Sequence, residues 1–288
     1  MDLNLLANQR LSQSNMRMPD PQAPIVGELG PLQTRLARSH KEVKSAQAIR
    51  YKVFYDEMGG IPSSDNRISK LDQDNFDNHC DHLLVIDTDQ DRQEIVGTYR
   101  MMIQSQCQHA GGFYTQQEYD LAPLLAANPH ASFLELGRSC ILPQYRTKRT
   151  MELLWHGTWA HALENEIDIM FGCASFAGTN PQTFCDALSW LGQNAALDSS
   201  EDCPAVVPHS VSLKNFRPSN GTEGNLRRAM ADMPPLIKGY LRLGAKIGSW
   251  AVVDHQFGTT DVLVVLKVAQ INPRYLTHFG VNASRYAA

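Results

Sequence analysis

Apolar and polar positions fall into a short series of periodic runs. Val43, Ala46, Ile49, Val53 and Phe54 recur at helical spacing and stop at Gly59-Gly60, which predicts an amphipathic helix ending there. His82 to Ile86 and Glu94 to Ile103 read as strands, with Asp87-Thr-Asp-Gln-Asp-Arg as the hairpin turn between them. Glu118 to Ala126 fits a short helix. Ser132 to Leu142 is the central strand, because Leu134 and Leu136 alternate with Glu135 and Gly137. A long helix follows from Thr150 to Leu163, with Leu153, Leu154, Gly157 and Ala160 among its packing positions. Ile167 to Cys173 is almost wholly apolar, as expected of a strand covered on both faces. Pro181 opens a helix to Trp190, and Pro234-Pro235 opens another that Gly244 closes. Trp250 to His255 and Val262 to Val268 are strands around a Phe257-Gly-Thr-Thr turn.

This order predicts an α/β (α+β) fold: one mixed central sheet flanked by helices on both faces. Residues 1–30 are polar, with Pro19, Pro21 and Pro24, and predict a flexible N-terminal arm. Residues 31–288 form one domain with a C-terminal extension, interrupted by an irregular insertion around 192–225. The chain has 288 residues, and a net charge of −4 gives no reason to expect nucleic acid as a partner. No stretch approaches the roughly 18 apolar residues of a membrane span, and Met1 to Asn8 lacks a signal-peptide pattern. The expected location is the cytoplasm. Six cysteines without Cys-x-x-Cys spacing fit reduced thiols there. His79-Cys80-Asp81-His82 resembles half a metal site with no second half, so no metal is expected.

Two clusters carry candidate chemistry. Arg146, Lys148 and Arg149 sit where a helix opens, and free N–H groups with the helix dipole favour an anion there. Glu135 lies on the strand just before them. A carboxylate one turn from a phosphate cradle suits transfer of an acyl group from a phosphopantetheine thioester to an amine, with Glu135 as base. The competing account is a structural Glu135–Arg138 ion pair. Strict alternation separates those two side chains; a bulge at Gly137 would bring both to one side and free an N–H for the thioester oxygen. Asp74 and Asp77 form an acidic pair that suits a bound cation, an acidic surface loop or a helix cap. Arg50, Arg100 and Arg138 are the natural partners for those acids or for a substrate carboxylate. No Gly-x-Ser-x-Gly sequence supports serine-hydrolase chemistry.

In the order Arg50-Tyr-Lys-Val-Phe-Tyr, Asp74-Asn-Phe-Asp-Asn-His-Cys-Asp-His-Leu, Ile95-Val-Gly-Thr-Tyr-Arg, Leu134-Glu-Leu-Gly-Arg-Ser-Cys, Pro235-Leu-Ile-Lys-Gly-Tyr and Asp254-His-Gln-Phe-Gly-Thr-Thr-Asp, the chain resembles GNAT-like acyltransferases. More closely it is similar to the bacterial ornithine acyltransferases of ornithine-lipid synthesis, from about Arg35 to Tyr286. It also echoes acyl-homoserine-lactone synthases at Arg50/Phe54, Asp74/Asp77, Arg100 and Glu135/Arg138. Their tryptophan after the first helix has no match at Gly59, Gly60 and Ile61, which counts against lactone synthesis. The resemblance implies a GNAT-like fold and transfer of a 3-hydroxyacyl group from acyl carrier protein to the α-amine of L-ornithine. It also implies no cofactor beyond the carrier's acyl-phosphopantetheine, which is substrate.

It implies Glu135 as catalytic base and Arg50, Phe54, Asp74, Asp77, Arg100 and Arg138 as substrate-binding residues, with Asp74 and Asp77 on the ornithine ammonium. Arg146, Lys148 and Arg149 then contact the donor phosphate and the acidic carrier. Thr147 and Thr150 stand where a GNAT turn is usually glycine-rich, which favours one phosphate over a pyrophosphate. Peripheral contact with the inner membrane is compatible with such a role. The alternatives are an acyltransferase for another amine or for lysine, a homoserine-lactone-type synthase, and a non-catalytic acyl-carrier or membrane-surface binding protein.

Overall fold

The computed structural model describes residues 16–89, 93–218, 226–271 and 275. In chain order its elements are β1 (Ile25–Leu29), β2 (Leu32–Leu36), α1 (His40–Tyr51), α2 (Ser64–Ser69), β3 (Asp81–Asp87), β4 (Glu94–Ile103), α3 (Gln104–Ala110), α4 (Ala122–Ala127) and β5 (Phe133–Ile141). Then come α5 (Lys148–Glu164), β6 (Ile169–Ala177), α6 (Cys185–Asn194), β7 (Ser210–Ser212), α7 (Leu226–Asp232), α8 (Pro235–Leu243), β8 (Lys246–Asp254) and β9 (Thr259–Lys267). The strands form one sheet in the order β1-β2-β3-β4-β5-β6-β9-β8-β7. Every neighbouring pair is antiparallel except β5–β6. A parallel pair needs a crossover, and α5 supplies it.

Alternation along the strands assigns the two faces. Leu83, Val85, Met101, Leu134 and Leu136 pack with Leu153 and Leu154 of α5. The intervening Leu84 and Ile86 pack instead with Ala46 of α1. Helices therefore cover both faces, as the periodicity predicts, and the second face also carries Arg100, Met102 and Glu135. The first helix continues past Tyr51 as a π-helical turn over Lys52–Glu57, which accounts for apolar spacing that reaches Phe54.

Three expectations are corrected. The arm forecast for residues 1–30 falls outside the described residues up to 15, and residues 16–30 are not an arm. Ile25–Leu29 is an edge strand on β2, and Arg17 pairs with Asp81 at 2.8 Å. The helix expected over Glu118–Ala126 starts only at Ala122, as α4, because Pro123 fits a helix's first turn, and a 3-10 turn over Tyr114–Gln117 precedes it. In the 192–225 segment, residues 219–225 lie outside the description; the rest is tied to the sheet through Ala196 against Ile247, Ala205 against Tyr119, and β7 against β8.

Strands β5 and β6 pair only from Phe133–Glu135 to Ile169–Phe171. Just beyond, the Leu136 carbonyl oxygen lies against Gly172, where an added Cβ would stand 2.1 Å from it. Gly172→Ala is therefore expected to cost about 1–3 kcal/mol or more by overpacking the point at which the strands separate. Thermal unfolding should show a lower Tm, and an unchanged Tm would mean that β5 yields freely here.

Candidate active site

Past Leu136 the two strands diverge, and the cause is an extra residue in β5. Arg100 of β4 faces Gly137 while Thr98 faces Cys140, so three steps on β5 match two on β4. The left-handed residue of this bulge is Arg138 (φ 54°), not Gly137, although glycine adopts that conformation more easily. Bulging brings Glu135 and Arg138 to the wall of one cavity of about 670 Å3. Its lining comes from both faces of the sheet: Tyr114, Thr115, Glu118 and Asp261 on one, and Met151, Leu154, Trp155 and Leu236 on the other. One side is polar and charged. The other is apolar.

Glu135 is 5% exposed, yet no ion pair with Arg138 forms. Its two carboxylate oxygens accept backbone N–H groups of Thr115 (2.6 Å) and Tyr114 (2.9 Å) at the start of the 3-10 turn. Burial raises its pKa above the ordinary carboxylate range, against the opposing effect of a hydrogen bond from the Thr115 hydroxyl, of these two N–H groups and of Arg100. A carboxylate offers about four lone-pair positions, so with these three hydrogen bonds the group is oriented, desolvated and still able to accept a proton.

The acidic pair and the three arginines form one network, tighter than the sequence alone suggests. Arg50 is fully buried; its guanidinium meets Asp72 Oδ2 at 2.8 Å and both oxygens of Asp77 at 2.8 and 2.9 Å. It also donates to the Asp72 carbonyl. Arg100 reaches Asp74 at 2.6 Å and Asp77 at 3.3 Å. Arg138 lies 3.3 Å from Asp72 and 3.4 Å from Asp74, with its guanidinium over the rings of Tyr114 and Phe257. Burial alone would raise Asp77, but Arg50 and Arg100 hold it far below the usual range.

Asp77 also accepts from the Asp74 N–H in a reciprocal capping box and from the Gln47 amide. The expectation that Asp77 holds a substrate ammonium is thereby corrected, since arginines and backbone already occupy its oxygens. Arg50 and Asp77 frame the site without lining the cavity. Asp74, a quarter exposed at its side chain, is bound to Arg100 and Arg138 and also stays outside the lining. Arg100, Arg138 and Phe54 do line it.

On the donor side, Arg146 lies at the rim, bound to both oxygens of Glu57 at 2.6 and 2.7 Å. Thr147 caps α5, and Lys148 and Arg149 are exposed on its first turn, outside the cavity. Of the three, only Arg146 can reach an occupant of the cavity mouth without moving.

A second acidic group was missed by sequence reasoning. Glu118, Asp254 and Asp261 bring one carboxylate oxygen each within 4.8 Å of one another, and all three line the cavity. Burial, then the neighbouring carboxylates, push Glu118 up to about 7; burial first and Asp254 push Asp261 up to about 6. Asp254-His-Gln-Phe-Gly-Thr-Thr-Asp was the available signal, since it holds two of these acids across a hairpin turn. Glu118 lies far away in the chain, and nothing in its own segment points to it.

A family model for the acetyltransferase (GNAT) domain matches residues 49–156, which run from α1 through the central strands into α5. The L-ornithine N(alpha)-acyltransferase of Agrobacterium fabrum (strain C58 / ATCC 33970) is 47% identical over 264 residues, covering 91% of this chain and 89% of the relative. The enzyme of the same name from Rhizobium meliloti (strain 1021) is 45% identical over 93% of this chain and 90% of its own length. That of Brucella abortus (strain 2308) is 44% identical over 98% and 99%. The mixed sheet with its flanking helices is thus a GNAT-like fold.

Proposed function

This chain belongs to the family of L-ornithine N(alpha)-acyltransferases, and from that membership we propose that it transfers a 3-hydroxyacyl group from acyl carrier protein to the α-amine of L-ornithine, giving lyso-ornithine lipid. The observation that carries the reading is the cavity at the parting of β5 and β6, with its apolar wall on one face of the sheet and its charged wall on the other. An acylated phosphopantetheine arm suits the first wall and a zwitterionic amino acid the second, so thioester carbon and amine nitrogen meet between the strands. Holding both reactants there removes much of the entropic cost of a bimolecular step.

In this reading the α-ammonium first gives up one proton to water, and Glu135 takes a second from the nitrogen as the resulting amine attacks the thioester carbonyl. The new N–C bond forms, the C–S bond breaks, and the pantetheine sulfur leaves as a thiol carrying that proton. Arg138, stacked on Tyr114 and Phe257 and facing the cavity, is placed to pair with the acceptor's carboxylate. Arg138 and Ser139 have no partner in the β4 or β6 register, and their N–H groups are our candidates for the thioester oxygen. The resulting amide has no basic nitrogen and does not return the proton.

Arg146 at the mouth and exposed Lys148 and Arg149 beside it suit the phosphate and acidic surface of a carrier protein, with no cofactor retained. The proposal sets the reaction in the cytosol, where acyl carrier thioesters are made, with peripheral contact at the inner membrane for release of an amphiphilic product. Among the described residues no helix is long and apolar enough to cross a membrane. Lys148→Glu combined with Arg149→Glu should raise KM for acyl carrier thioester by about 10-fold or more with kcat nearly unchanged, and added salt should mimic it. Steady-state kinetics with acyl carrier protein and with coenzyme A carrying the same acyl chain provide the check. Equal use of both donors would contradict a carrier-specific site.

A further inference from the structure

The two acidic groups of the site differ in one respect. Asp72, Asp74 and Asp77 are neutralised by Arg50, Arg100 and Arg138, whereas among the described residues no ion pair reaches Glu118, Asp254 or Asp261. Asp261, which lines the cavity, is only 6% exposed, and its Oδ1 has no hydrogen-bond partner, while the nearby Ser175 and Thr259 hydroxyls only partly offset the effect of its burial. A buried carboxylate oxygen left so is costly unless a ligand completes it.

The three side chains are firmly placed. Asp261 sits in β9 opposite Ser175 of β6 and Val252 of β8. Asp254 ends β8, where its Oδ1 accepts the Gln256 and Phe257 N–H groups at 2.7 and 3.0 Å. Glu118 accepts the Cys173 thiol at 3.3 Å, and the neighbouring Tyr119 hydroxyl donates to the Asp261 carbonyl at 3.0 Å. That bond ties the Glu118 segment to β9.

Resting on the acyl-transfer reading above, we propose that Glu118, Asp254 and Asp261 hold the side-chain ammonium of the amino-acid acceptor and set its preference for a diamino acid. Three acceptors around one tetrahedral ammonium, each at a normal N–H···O distance, stand about 4.6 Å apart. The observed oxygens lie within 4.8 Å of one another. Arg138 takes the carboxylate end, so the two ends of the acceptor are sorted by charge and the α-amine is left to face the thioester. The side-chain amine, kept charged among acids, is not nucleophilic, which explains acylation at one nitrogen only. Without a cation, burial and mutual repulsion raise Glu118 and Asp261 above the ordinary range, and a bound ammonium would relieve both.

The test is steady-state acyl transfer by the full-length protein to L-ornithine and to L-norvaline, which has the same carbon chain without the ammonium. Wild type should prefer ornithine by at least about 100-fold in kcat/KM, because acids left unpaired reject the neutral analogue. Asp261→Asn and Glu118→Gln should each lower kcat/KM for ornithine by about 10-fold or more, through KM, and narrow the ornithine-to-norvaline ratio, because norvaline then meets fewer unpaired acids. Equal loss for both acceptors through kcat would overturn the proposal by assigning these acids to the chemistry. If neither variant folds, the wild-type ratio decides: equal use of ornithine and norvaline overturns it. Wild-type activity that needs Mg2+ or Mn2+ and is abolished by EDTA would give the trio to a metal and overturn it too. Failure of wild type to acylate any amino acid would remove the acyl-transfer reading itself, and this one with it.

Discussion

Glu135→Gln is expected to lower kcat for acyl transfer to ornithine by about 100-fold or more, the usual contribution of a positioned general base. Gln keeps the size of the side chain and one acceptor for the Tyr114–Thr115 turn, but it cannot take a proton from the attacking nitrogen. Loss of the second acceptor leaves one N–H under-satisfied, a structural cost of about 1–3 kcal/mol. Catalysis and anchoring are separated by the pH–rate profile. Wild-type kcat should rise through a carboxylate pKa lying above the ordinary range, because burial raises Glu135, and the variant should lose that limb. A variant with near-normal kcat, or with reduced kcat and the same pH profile, would make Glu135 a structural anchor only.

Asp77→Asn should be the most destabilising change in the network. It removes the charge that faces Arg50 and Arg100, both at least 96% buried, and breaking one partner of a buried pair costs about 3–5 kcal/mol. A loss of that size should lower Tm by roughly 6–20 °C in a domain of this size. The pH dependence has a defined sign. The folded-state pKa of Asp77 is depressed below the ordinary 3.8, so its contribution is present above about pH 4 and is lost as pH falls below that value toward the folded pKa. Wild-type stability should therefore decline in acid more steeply than that of the Asn variant. Thermal melts of both proteins from pH 7 to pH 3 provide the measurement. Parallel curves of equal Tm would mean that Asp72 and Asp74 suffice to neutralise the arginines.

Much of the fold was legible because burial imposes its period on the chain. Leu134 and Leu136 against Glu135 identify a strand whose two faces differ in polarity, and the unbroken apolar run after Ile167 a strand buried on both. The bulge was foreseeable from the need to bring Glu135 and Arg138 together, but its left-handed residue was not, since Arg138 adopts a conformation for which neighbouring Gly137 is the better candidate. Asp74 and Asp77 look like an exposed acidic pair because their neutralising arginines lie between 23 and 64 residues away in the chain. Within a local window, a buried ion network and a solvated face have the same composition. The Glu118, Asp254 and Asp261 group is a product of β8–β9 pairing and of the Tyr119 anchor, and neither has a local signature.

The reaction between purified protein, 3-hydroxyacyl carrier protein and L-ornithine labelled with 15N at the α position tests the central claim most directly. Tandem mass spectrometry of the product locates the new amide. The account predicts one acyl group per ornithine on the labelled nitrogen, with the side-chain amine free and carrier thiol released in equal amount. Acyl-ornithine modified at the unlabelled nitrogen, or thioester hydrolysis with no amide formed, would contradict it.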